Sequence, residues 1–199
     1  MASKRIVVVG ATGTIGKAVV AALAVKFDVV QVSHRAATYR IDLADAESIR
    51  RTLAQIGKVD GIVSTAGVAS FAPFSKLTDD DFSLGIRNKL MGQVNLARIG
   101  PDHLSDGGSI TLTSGILSRK PMPGGAAISL VNAALEGFVR AVALELPRGI
   151  RINVVAPPWV RETLMAMKME ASQGKPAAEV ARAYVQCVEG TATGQVVDA

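Results

Sequence analysis

Lys4-Arg5-Ile6-Val7-Val8-Val9-Gly10-Ala11-Thr12-Gly13-Thr14-Ile15-Gly16-Lys17-Ala18-Val19-Val20 runs from an apolar segment through three glycines into a helical apolar pattern. Four consecutive apolar residues, Ile6 to Val9, read as a buried strand. Gly10, Gly13 and Gly16 allow a tight turn, a close backbone approach and a helix packed hard on the strand. The first N–H groups of such a helix point outward without intrahelical partners, which makes the turn a phosphate site. A P-loop is excluded: it needs a Gly five residues before the Gly-Lys pair and a Ser or Thr after the Lys, and positions 11 and 18 are both Ala.

Downstream, strand and helix signals alternate. Strands are predicted at Val29–Val32, Tyr39–Leu43, Val59–Ser64, Ser109–Thr113, Ile150–Val155 and Gly194–Val197. Helices are predicted at Ile15–Val25, at Asp45–Ile56 with Asp45 and Ser48 in a capping pattern, and over the long segments Asp79–Ile99 and Gly124–Leu146. Shorter helices follow at Glu162–Met169 and Pro176–Val188, and Asp106-Gly107-Gly108 reads as a turn. The pattern predicts an α/β fold, a three-layer doubly wound parallel sheet of about seven strands, as a single domain over residues 1–199. Too few residues separate the second and third strands for a crossover helix, so that helix is missing and a bare loop takes its place.

Composition agrees. Hydrophobic residues make up 49% of the 199 residues and aromatics only 4%, a core of aliphatic side chains suited to a sheet covered on both faces. The net charge of +5 is compatible with anionic ligands and equally with ordinary solvation. No basic stripe interleaved with aromatics points to nucleic acid. One cysteine, Cys187, excludes an internal disulfide and fits a reducing cytoplasm, and its apolar helical context reads as core. The two histidines, His34 and His103, have no ligand spacing, so no metal is expected. No apolar run reaches the length of a membrane span, and the amino terminus leads into a strand without a signal-peptide pattern.

The second strand ends Ser33-His34-Arg35. An acidic residue there would bind the ribose hydroxyls of NAD; a hydroxyl and a guanidinium instead suit a 2′-phosphate. This favours NADP(H) over NAD(H), against the plainer reading of Arg35 as a surface residue on a shortened loop.

The chain resembles the short-chain dehydrogenases/reductases along essentially its whole length. The resemblance rests on Gly10–Gly16, Asp42-Leu43, Ser64-Thr65-Ala66-Gly67, Asn88, Gly108–Ser114, Ala133-Ala134-Leu135-Glu136-Gly137-Phe138, Arg151-Ile152-Asn153 with Ala156-Pro157, and Thr193-Gly194-Gln195, in that order. It implies a Rossmann fold, a nicotinamide cofactor and a homo-dimer or tetramer packed through the two long helices. It also implies roles. Gly10, Thr12, Gly13, Thr14, Ile15 and Gly16 would hold the pyrophosphate, and Ser33, His34 and Arg35 the 2′-phosphate. Asp42 and Leu43 would flank the adenine, while Ala66, Gly67, Pro157 and Thr163 would line the cofactor. Asn88 would support the proton relay and Ser114 would orient a substrate carbonyl.

One departure stands out. The family's catalytic Tyr and the Lys four residues after it fall on Ile128 and Asn132. Isoleucine transfers no proton, and asparagine keeps a hydrogen bond to a ribose hydroxyl but carries no charge. Tyr39 and Tyr184 lie outside this helix. Arg119 and Lys120, in the preceding loop, are candidates for positive charge near a substrate, or simply solvated. Met165, Met167 and Met169 fall where the family has its substrate lid. The expected function is an NADP(H)-dependent oxidoreductase of unknown substrate with an altered proton relay, acting on an acceptor such as a quinone, flavin or conjugated enone. The alternative is a non-catalytic NADP(H)-binding sensor or partner subunit.

Overall fold

A computed structural model describes residues 3–35 and 37–199. Its centre is a parallel sheet of seven strands: β1 (Arg5–Val9), β2 (Asp28–Ser33), β3 (Tyr39–Arg40), β4 (Val59–Ser64), β5 (Leu104–Thr113), β6 (Arg151–Ala156) and β7 (Val196–Asp198), in the order β3-β2-β1-β4-β5-β6-β7. Period-two alternation sends Val7 and Val9 to one face and Ile6 and Val8 to the other. The first face packs on α2 (Ala46–Ile56) through Ile49 and Leu53, on α4 (Met91–Ile99) through Leu96, and on α5 (Ala126–Val142) through Leu135 and Val139. The second packs on α1 (Thr14–Leu23) through Val19 and Leu23, and on α7 (Ala177–Glu189) through Val180 and Tyr184.

The doubly wound parallel sheet was legible in the alternation. No described residue between Ser33 and Tyr39 is helical; Ala36 lies outside the described residues. β3 is only two residues long, because the chain leaves the ladder after Arg40 and enters the loop that carries Asp42. Asp45 caps α2 by accepting from Glu47 N at 2.9 Å, whereas the Ser48 hydroxyl turns back to accept from Asp42 N at 2.9 Å. The turn expected at Asp106–Gly108 is instead part of β5, which starts at Leu104; there the pairing with β4 jumps from Val59↔Leu104 to Gly61↔Ser109.

The expected long helix over Asp79–Ile99 has three parts. α3 (Asp79–Gly85) starts at a capping box between Thr78 and Asp81, a π-helical turn spans Ile86–Leu90, and α4 completes it. A short helix, α6 (Arg161–Ala166), follows β6. The chain moves outward through β1, β2 and β3 and then returns to place β4 beside β1. The switch point therefore lies between the carboxyl ends of β1 and β4, where open α/β sheets bind ligands.

Candidate active site

The carboxyl end of β1 runs into Gly10, whose φ of +85° favours glycine. A Cβ there would stand 2.9 Å from Ala66 and from Thr65 Oγ1. At Gly16 a Cβ would stand 2.0 Å from the Gly10 carbonyl oxygen. The glycines thus seat the start of α1 directly on the strand end. Gly13 is the N-cap and offers no side chain to the first-turn N–H groups. Thr12 and Thr14 are exposed beside it. On the β4 side, the Thr65 hydroxyl lies 3.1 Å from the Val9 carbonyl and 3.3 Å from that of Gly10, tying the two strand ends together.

Two clefts open from this point. One is bordered by Gly10, His34, Arg35, Asp42, Leu43 and Asn88. Ser33 does not line it: its side chain is buried at the end of β2. Asn88 is engaged, its Oδ1 accepting from Val68 N at 2.9 Å.

The second is a cavity of about 200 Å³. Ile15, Ala66 and Gly67 form the side shared with the glycine turn. Ser114 and Gly115 come from the end of β5, Ile128 and Asn132 from α5, and Pro157, Pro158, Trp159 and Thr163 from the segment after β6. Trp159 is braced edge-on by Phe71, at 5.8 Å between ring centroids. Lys89 also reaches this cavity. It sits in the π turn, 7% exposed, and its Nζ donates to the Ser114 carbonyl at 3.1 Å. Burial lowers its pKa from the usual lysine range to about 8.

Beneath the cavity Glu136 is buried. It accepts from the Ser118 hydroxyl at 2.6 Å and from the Ser114 hydroxyl at 3.3 Å, and Arg119 and Arg140 approach it at 3.5 and 3.7 Å. Glu136→Ala would leave two serine donors and a void in the interior. It is expected to cost about 3 kcal/mol, lowering the midpoint of thermal unfolding by roughly 6–12 °C in a scan against wild type.

A family model described as enoyl-(acyl carrier protein) reductase matches residues 5–195. The crystal structure of the protein lin1944 from Listeria innocua superposes with a TM-score of 0.95 at 38% identity, covering 98% of this chain and 99% of that one. A small-chain dehydrogenase solved in complex with NADPH has a TM-score of 0.88 at 27% identity, covering 100% of this chain and 97% of that chain. The chain belongs to the short-chain dehydrogenases/reductases. Hydroxynaphthalene reductase from Aspergillus fumigatus is 29% identical over 138 residues, 67% of this chain and 50% of that protein. The chain spans about half the length of the first curated relatives it matches.

Against the pattern of short-chain dehydrogenases/reductases, Ile128 and Asn132 both line the cavity from one face of α5. Asn132 is 1% exposed; its Nδ2 lies 3.4 Å from the Gly115 carbonyl, and its Oδ1 is buried with no partner. Tyr184 is fully buried on α7, beside the Thr113 hydroxyl at 2.7 Å, and does not border the cavity. Arg119 is held by Asp198 and Glu136, and neither it nor Lys120 lines the cavity. Met165, Met167 and Met169 face solvent. Cys187 is buried, which pushes its thiol up to about 11.

Lys89 escaped the reading of the sequence. Its signal was there: Gly85, Lys89, Gly92, Gln93 and Leu96 are among the buried positions of this segment, at helical spacing, and a lysine among them is out of place.

Proposed function

We propose that the chain is an NADP(H)-dependent oxidoreductase that reduces a small acceptor in the cavity beside Lys89. The observation that carries this is the glycine cradle of β1 and α1 opening onto a cavity in which the Asn132 Oδ1 is buried and unpartnered. The residues fit a dinucleotide. The uncapped start of α1 suits a pyrophosphate, His34 and Arg35 suit a 2′-phosphate, and Asn132 offers an acceptor to a ribose hydroxyl. When bound, NADPH supplies a hydride. Pro157, Trp159 and Ile128 give the cavity an apolar wall.

The relative solved with NADPH supports the cofactor, and the reductase names of the relatives support the direction. Exposed Leu84, Met91 and Leu130 on the two long helical segments support a homo-dimer or tetramer packed there. No helix among the described residues is long and apolar enough to cross a membrane, which agrees with a cytoplasmic location.

Calorimetry tests the cofactor. NADPH is expected to bind at least tenfold more tightly than NADH, and Arg35→Ala to remove roughly tenfold of the NADPH affinity while sparing NADH. Equal affinity for both would contradict the assignment of the 2′-phosphate site.

A further inference from the structure

A lysine ammonium buried without a carboxylate is costly and needs a reason. Among the described residues, Lys89 forms no ion pair, and the Ser114 carbonyl is the one protein acceptor in hydrogen-bond reach of its Nζ. An ammonium has three N–H donors, so two remain for the cavity. The fold makes room for this side chain. Gly67 has a φ of +147°, and a Cβ there would stand 2.6 Å from Lys89 Cγ. The helix carrying Lys89 is wound into a π turn at that point, a distortion that recurs at functional sites.

We propose that Lys89 is the group that polarises and protonates the substrate oxygen, the role that Ile128 and Asn132 cannot fill. This rests on the reading of the site as a reductase. The substrate is then a small, largely apolar ketone, quinone or conjugated enone, neutral in its ground state, whose oxygen becomes negative during reduction. As the substrate carbon takes the hydride that bound NADPH would give up on becoming NADP+, a C–H bond of the cofactor is exchanged for one on the substrate and the π electron pair moves onto oxygen. That oxygen takes a proton from Lys89 Nζ: an O–H bond forms and an N–H bond breaks. The neutral amine left behind suits its apolar surroundings and regains a proton from water.

The charged groups around Lys89 are few. The loop after β4 and the segment Pro157–Thr163 present no ionisable side chain to the cavity. α5 presents none either, although Glu136, one turn beyond Asn132, touches Ser114. A proton donor with a pKa near the operating pH is well matched to acid catalysis, and the value of about 8 for Lys89 meets that condition. The protonated form is the active one in reduction, so the rate is expected to fall as pH rises through about 8.

The test uses lysine labelled with 13C and 15N, NADPH binding by calorimetry, and reduction of a panel of aromatic ketones, quinones and enones. The Lys89 ε-carbon is expected to titrate near pH 8 in the wild-type protein. Lys89→Met is expected to keep NADPH affinity within about threefold, lower turnover a hundredfold or more, and erase the alkaline limb of the pH profile. Lys89→Ala is expected to recover part of its activity with added methylammonium. Titration at the ordinary lysine pH, or turnover unchanged in Lys89→Met, would overturn the role of Lys89 alone; NADPH bound with no acceptor of the panel reduced would overturn the reductase reading and this inference with it. Failure of the wild-type protein to bind NADPH would overturn the reading of the cleft and this inference with it.

Discussion

Lys89→Met is expected to unfold at a higher temperature than the wild-type protein at pH 7. The folded state lowers the Lys89 pKa from 10.5 to about 8, because burial penalises the ammonium. Carrying that charge into the interior therefore costs about 3 kcal/mol at neutral pH. Methionine keeps the length and apolar character of the stem but loses the bond to the Ser114 carbonyl, which returns about 1 kcal/mol. The net gain of about 2 kcal/mol corresponds to roughly 4–8 °C for a chain of this length. The sign with pH follows directly. Below about pH 8 both folded and unfolded lysine are protonated and the penalty is complete. Between about 8 and 10.5 the folded protein releases its proton first, so the unfolded state binds more protons and wild-type stability rises with pH. The advantage of Lys89→Met is thus expected to shrink across that window in thermal scans taken from pH 7 to pH 10. A residue whose removal stabilises the fold while abolishing turnover is retained for what it does, not for packing.

Gly16→Ala is expected to abolish NADPH binding and to destabilise the fold by more than about 3 kcal/mol. The added Cβ would lie 2.0 Å from the Gly10 oxygen and 2.8 Å from its carbonyl carbon, both backbone atoms that no rotamer change can move. Relief requires lifting α1 off β1, which opens the packing of Val19 and Leu23 on the sheet and displaces the N–H groups of the first turn. Calorimetry is expected to show at least a hundredfold loss of NADPH affinity, and chemical denaturation a lower midpoint with an unchanged slope. Gly13→Ala is the control: the nearest atom to a Cβ there is the Gly10 oxygen at 3.4 Å, an ordinary contact, so its fold is expected to persist.

The two substitutions mark where the sequence was readable and where it was not. Gly16 lies in a local pattern, strand then glycines then helix, whose geometry follows from spacing alone. The missing helix between β2 and β3 was likewise a matter of counting residues. Ile128 and Asn132 could be placed by counting back from Ala133, and both border the cavity. Lys89 depended on tertiary structure. Its neighbour Asn88 drew the eye as a family residue, yet Asn88 borders the cleft of His34 and Arg35 while Lys89 borders the cavity. The π turn at Ile86–Leu90 carries Lys89 there, and nothing in the local sequence announces that turn. Ser114, expected to orient a substrate carbonyl, lines the cavity, and its hydroxyl is directed to Glu136, a partner 22 residues away that only the fold brings close.

The most direct measurement is the Lys89 ε-carbon resonance followed while NADP+ is added to the labelled wild-type protein. The account predicts a saturable shift with the same dissociation constant that calorimetry gives, because Lys89 shares its cavity with Asn132, with Ile15 at the start of α1 and with Gly67 of the loop after β4. A resonance that stays still while the protein saturates, or a protein that does not saturate at millimolar NADP+, would contradict it.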